Sequence, residues 1–133
     1  MNYSIQQNND LKCLHVRAEG LASGEGFINI AKSILSHPEF ESGTSVLHDY
    51  SAVNMEKLST MEVKNISNFI VSNKQEFGDG KWTLIFKDDL GFGLGRMWQA
   101  FTENNVKLEI TIVKDYEEAL ECLCALPPQK NSE

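Results

Sequence analysis

The segment Val46-Leu47-His48-Asp49-Tyr50-Ser51, followed after a polar loop by Ser59-Thr60-Met61-Glu62, decides how the chain is read. Its continuous apolar pair, Val46-Leu47, suits a central strand covered on both faces. We expect that strand over 45–49, with His48, Asp49 and Tyr50 delivered to its end. Ser59 and Glu62 have the spacing of a capping box, in which each side chain satisfies a backbone N–H left free at a helix start. The helix that follows buries a stripe of Val63, Ile66, Phe69 and Ile70. A buried strand that ends beside a helix N-terminus is where open α/β sheets place ligands and switches.

Working outward, Ser4–Gln7 and Leu11–Ala18 read as two strands of a hairpin turning at Asn8-Asn9-Asp10, because Asn and Asp tolerate the backbone of a tight turn. Leu14, Val16 and Ala18 alternate with Cys13, His15 and Arg17, so one face meets the core. Glu19-Gly20 ends this strand. Ser23 caps a helix whose Phe27, Ile30, Ala31, Ile34 and Leu35 form one apolar stripe, and His37-Pro38 stops it. Beyond the central segment, Gly78-Asp79-Gly80 marks a turn, and Trp82–Phe86 is an interior strand. Asp88 or Asp89 caps a helix carrying Leu90, Leu94, Met97, Trp98 and Phe101. The stretch 107–113 alternates as a strand near a sheet edge. Asp115 and Glu118 cap a last helix burying Ala119, Cys122, Leu123 and Leu126, which Pro127-Pro128 terminates. The order is β-β-α-β-α-β-α-β-α. This predicts an α/β fold of one domain over 1–128, with a mostly parallel sheet flanked by helices and a disordered tail over 129–133.

A chain of 133 residues can bury roughly two thirds of its unfolded surface in one core. The net charge of −7 opposes attraction to nucleic acid or anionic lipid. No apolar run approaches the roughly 20 residues of a membrane span, and Met1-Asn2-Tyr3-Ser4 has no secretory character, so a cytoplasmic protein is expected. Cys13, Cys122 and Cys124 have no zinc or disulfide spacing and read as reduced, buried thiols.

Candidate chemistry is sparse. Gly91-Phe92-Gly93-Leu94-Gly95 departs from both phosphate-loop patterns and follows two aspartates, so its glycines read as packing against the sheet. Arg96 is expected to pair with Asp88, Asp89 or another carboxylate. His15, His37 and His48 share no metal-ligand spacing, and no metal site or cofactor is expected. His48 and Asp49 point to opposite faces of a strand and can form an acid-base pair only where the strand has ended. No nucleophile elbow surrounds Ser51, Ser59 or Thr60, and the chain is not read as an enzyme. Ser59 and Thr60, at a helix N-terminus, would place a phosphate near exposed amides.

The order of elements resembles the SpoIIAA-like, or STAS-like, domains, which include the anti-sigma-factor antagonists and are grouped with SEC14-type lipid-binding modules. The resemblance runs from Leu11 to Leu126. It is carried by Leu35-Ser36-His37-Pro38-Glu39-Phe40, by Val46-Leu47-His48-Asp49-Tyr50-Ser51, by Phe92-Gly93-Leu94-Gly95-Arg96-Met97, and by Ile112-Val113-Lys114-Asp115 with Glu118-Ala119-Leu120. It implies a non-catalytic regulatory or protein-interaction module of bacterial origin. The antagonists carry a phosphorylatable serine in an Asp-Ser-Ser-Gly motif. The comparable place here reads Lys57-Leu58-Ser59-Thr60, without the acidic residue or the glycine, so Ser59 and Thr60 match by position.

Two functional expectations follow. The first is a partner protein, or a second copy of the chain in a homodimer, bound around Asp49, Tyr50, Ser51, Ser59 and Thr60. The alternative is a small apolar ligand or lipid held by Phe92, Arg96, Met97 and Trp98, with Phe101 beside them.

Overall fold

A computed structural model of the chain describes residues 1–124. Leu126, Pro127-Pro128, the tail and the Cys124 side chain lie outside the described residues. Five strands form one sheet in the order β1 (Asn2–Asn8), β2 (Cys13–Leu21), β3 (Ser45–Asn54), β4 (Lys81–Ile85), β5 (Glu109–Val113). β1 pairs antiparallel to β2 and all other pairs are parallel, as the initial hairpin and the strand-helix-strand steps predict. The hairpin turn is held by Asn8, whose Oδ1 accepts from the Leu11 N–H at 3.0 Å, and Lys12 takes the left-handed conformation at φ 52°.

The helices are α1 (Gly24–Ser36), α2 (Thr60–Ser72), the short α3 (Lys74–Phe77), α4 (Asp89–Thr102) and α5 (Tyr116–Cys124). Each long connection between consecutive parallel strands returns on the same side of the sheet. α1, α2 and α4 therefore form one layer, over Val16, Val46, His48, Tyr50, Trp82, Leu84 and Phe86. α5 takes the opposite face, where Ala119 packs on Cys13, Leu47, Ile85 and Val113.

The helix starts follow the local chemistry. Ser23 Oγ accepts from the Gly26 N–H at 2.9 Å, Asp88 Oδ1 from the Gly91 N–H at 2.7 Å, and Asp115 Oδ1 from the Glu118 N–H at 2.7 Å. The capping box at Ser59 and Glu62 is present.

Two strands run well past the ends the sequence reading gives them. β3 does not stop at Asp49 but runs to Asn54, and β2 continues past Gly20 to Leu21. The two extensions stabilise one another: a register shift between Arg17 and Glu19 lets Glu19, Gly20 and Leu21 pair with Ala52, Val53 and Asn54. Pairing partners more than 30 residues away are invisible to a local reading.

Candidate functional site

Because β3 is still extended at His48, Asp49 and Tyr50, these side chains alternate between faces. Asp49 and Ser51 lie on the α5 side of the sheet. There Asp49 Oδ1 accepts from the Ser51 hydroxyl at 2.6 Å and from its N–H at 3.1 Å, and Oδ2 lies 3.8 Å from Arg17 Nε. His48 and Tyr50 point the other way, into the main core. The acid-base pairing of His48 with Asp49 is thereby removed, and Asp49, Tyr50 and Ser51 do not share a surface.

His48 and Tyr50 meet instead. Two residues apart on one strand, they bring His48 Nδ1 and Tyr50 Oη to 2.8 Å. Both are fully buried. Burial, with the nearby His15 adding to it, lowers the His48 pKa to about 3, and burial raises that of Tyr50. Both groups are therefore neutral near pH 7. Oη has no other hydrogen-bond partner, so the arrangement that satisfies the phenol has Tyr50 donate to Nδ1, leaving the His48 proton on Nε2.

Around this pair the tertiary structure assembles an aromatic wall. The His48 ring lies 4.5 Å from the Trp82 ring of β4, and Trp82 stacks nearly parallel to Trp98 of α4 at 6.4 Å. Phe27 and Phe86 flank Tyr50 at 5.1 and 5.6 Å. Between this wall and the helices is a cavity of about 60 Å³, closed by Ile30 and Ile34 of α1, Val63, Ile66 and Ile70 of α2, and Leu94 and Gly95 of α4. Ile66 and Leu94 are only half-buried, so the way out lies between α2 and α4. Three of the lining residues carry a buried ring nitrogen with no hydrogen-bond partner: His48 Nε2, Trp82 Nε1 and Trp98 Nε1. Each such buried group costs about 1–3 kcal/mol when unsatisfied.

Of the expected pocket residues, Trp98 lines this cavity. Phe92 and Met97 pack partly buried at the edge of the core, and Arg96 is exposed. Arg96 does not pair with Asp88 or Asp89: Asp88 is the helix cap, and Asp89 Oδ1 binds Lys114 Nζ at 2.8 Å. Lys114 also sits 5.1 Å over the Phe92 ring. The glycines of α4 act in packing, as expected, since Gly91 and Gly95 lie against Phe86. His48, Tyr50 and Trp82 carry no local signal as lining residues, because only strand pairing places them opposite Trp98.

Ser59 and Thr60 differ in how they are engaged. Ser59 Oγ accepts from the Glu62 N–H at 3.1 Å, and the Glu62 carboxylate accepts from the N–H groups of Ser59 at 3.0 Å and Gly24 at 2.9 Å. Those bonds, the one from Gly24 first, hold the Glu62 carboxyl below its usual range and tie the starts of α1 and α2 together. Ser59 thus lies beside a carboxylate, whereas Thr60 is exposed and makes no such bond. Cys13 is buried, and burial, with Glu118 and Glu121 adding to it, raises the Cys122 thiol. Among the described residues, no three metal-ligating side chains converge, and no helix is long and apolar enough to cross a membrane.

No family model and no curated protein matches the chain. Among solved structures, it is similar to an uncharacterized protein of the DUF3478 family with a SpoIIAA-like fold, from Shewanella loihica. The two share 18% identity with a TM-score of 0.58, over 92% of this chain and 93% of that one. The chain has a SpoIIAA-like fold. At that identity the likeness carries the architecture alone. In this SpoIIAA-like chain, the strand carrying His48 and Tyr50 is the middle one of the five.

Proposed function

We propose that the chain is a non-catalytic binding module of the bacterial cytoplasm whose interior takes a small, mostly apolar molecule bearing an uncharged hydrogen-bond acceptor. The carrying observation is a cavity lined by three residues whose buried ring nitrogens have no partner. With Nε2 protonated on His48, all three are donors, so the complementary head group is an acceptor such as a ketone or ester carbonyl. A carboxylate is disfavoured because the wall holds no cation and His48 resists protonation. The cavity has room for about two water-sized groups, so the head enters and an apolar tail leaves between Ile66 and Leu94.

Both tryptophans of the chain line the cavity, so their fluorescence reports directly on it. Titration with methyl octanoate is expected to change the emission saturably, and octane to do so far more weakly. Trp98→Phe, which removes one donor and keeps an aromatic ring, should weaken the ester at least several-fold without weakening octane. Equal responses to ester and alkane, or none to either, would overturn this reading.

A second observation favours a partner-protein surface. Of the exposed large apolar residues, Leu21 (52% exposed), Met61 (65%) and Leu90 (47%) all lie where parallel strands end or the following helices begin, Met61 next to Ser59 and Thr60. The two readings connect through the loop after β3. Its Met55 and Leu58 line the cavity while Glu56, Lys57, Ser59 and Thr60 face solvent, so cavity occupancy would be felt at these residues. On this reading Thr60 is the better placed of the two phosphorylation candidates. Met61→Glu combined with Leu90→Glu should abolish partner capture from native lysate, and unchanged capture would sink the reading.

A further inference from the structure

We infer that the outer edge of β1 is a self-association surface, through which two copies of the chain pair antiparallel and join their sheets into one. β1 is the terminal strand of the sheet, and among the described residues no strand pairs with its outer side. Its seven residues, Asn2-Tyr3-Ser4-Ile5-Gln6-Gln7-Asn8, include no Lys, Arg, Asp, Glu or Pro. Sheet edges exposed to water are ordinarily blunted by charge, proline or brevity. The opposite edge follows that rule: β5 is five residues long, begins at Glu109, and is flanked by Lys107 and Lys114. β1 is left open.

The occupant is a second copy because the edge is complementary to itself. A two-fold axis perpendicular to the sheet runs the strands antiparallel and keeps each residue on its own face, so opposed residues must be an even number apart. The register centred on Ile5 satisfies this. It sets Asn2 against Asn8, Tyr3 against Gln7, Ser4 against Gln6, and Ile5 against itself. Every pair is uncharged, and three of the four couple side chains that can hydrogen-bond to each other.

Charge favours the same place. Two chains of net charge −7 repel, and this strand is a neutral strip on each. The α1 residues seen in contact with it are neutral as well. Tyr3 Oη lies 2.6 Å from Ser33 Oγ and 3.5 Å from the Asn29 carbonyl, and Met1 lies against Gly26. The two copies of α1 would come together on one face of the joined sheet with no like charges among these residues. Because β1 is then used up and β5 is guarded, assembly stops at two. No residue of β1 lines the cavity, so this test is separate from that of the ligand.

Sedimentation velocity on the full chain at tens of micromolar should give twice the 15.0 kDa of one chain. Ser4→Glu with Gln6→Glu opposes carboxylates twice across the axis and should leave monomer, while within the chain Ser4→Glu faces Arg17, which keeps the fold intact. Ser4→Glu with Gln6→Lys opposes unlike charges and should restore the dimer, now weakened by salt. Amide exchange in β1 should also slow with protein concentration. A wild-type monomer throughout this range, equal association of the two double variants, or growth into longer fibres would each overturn the inference.

Discussion

Gly95→Ala and Gly93→Ala form a matched pair that tests how α4 is seated on the sheet. Both glycines lie inside α4, where alanine is favoured over glycine by about 1 kcal/mol. They differ in what a methyl group meets. At Gly93 nothing lies within 4 Å, whereas at Gly95 a Cβ would stand 2.6 Å from Phe86 Cε2 and 2.9 Å from Cδ2. Carbon contacts settle near 3.5–4.0 Å, so the ring or the helix must yield by roughly 1 Å. Phe86 cannot swing aside freely, being buried against Tyr50. Overpacking of this kind costs about 1–3 kcal/mol. The propensity gain is common to both variants, so it cancels in their difference. Gly93→Ala should be more stable than the native chain by about 1 kcal/mol, and Gly95→Ala should fall below Gly93→Ala by about 1–3 kcal/mol. Urea unfolding at pH 7 measures both. Adding Phe86→Leu to Gly95→Ala should close part of the gap. Equal stability of the two alanine variants, or a larger gain at Gly95, would refute the close approach of α4 and with it this wall of the cavity.

Two further outcomes follow from the same geometry. His48 resists protonation when folded, to about pH 3, so on acidification from pH 6.5 the unfolded chain takes up this proton first and stability falls. The loss approaches about 1.4 kcal/mol per pH unit within that window. His48→Leu should remove that slope in urea titrations at pH 6, 5 and 4, and identical slopes in the two proteins would contradict the burial of a neutral imidazole. Ser59→Ala should cost about 1 kcal/mol through the lost cap, while Thr60→Ala, at an exposed hydroxyl without a bond, should change stability by less than about 0.5 kcal/mol.

Much of the architecture was legible from short-range chemistry. Ser23, Ser59, Asp88 and Asp115 announce helix starts through bonds to backbone groups three residues on, and the alternation of Leu14, Val16 and Ala18 marks a half-buried strand. The SpoIIAA-like order of elements was readable for the same reason. The candidate site was legible only in part. Trp98 was singled out, but Phe92, Met97 and Arg96 share its helix without sharing its cavity, because seating on the sheet selects which part of the helix faces inward. Read locally, Tyr50 joins Asp49 and Ser51 at the end of a strand, but β3 continues to Asn54 and turns Tyr50 into the core.

By itself, then, the sequence determined the strands, the longer helices, their order, their caps and the α/β class, since each depends on contacts within a few residues along the chain; the short α3 it did not. Tertiary structure decided the length of β3, the face each of its polar residues takes, and the meeting of His48 and Tyr50 with Trp82 and Trp98. Those depend on pairing between residues some thirty to fifty positions apart, where a shift of one residue would turn His48 and Tyr50 to the other face and Asp49 inward.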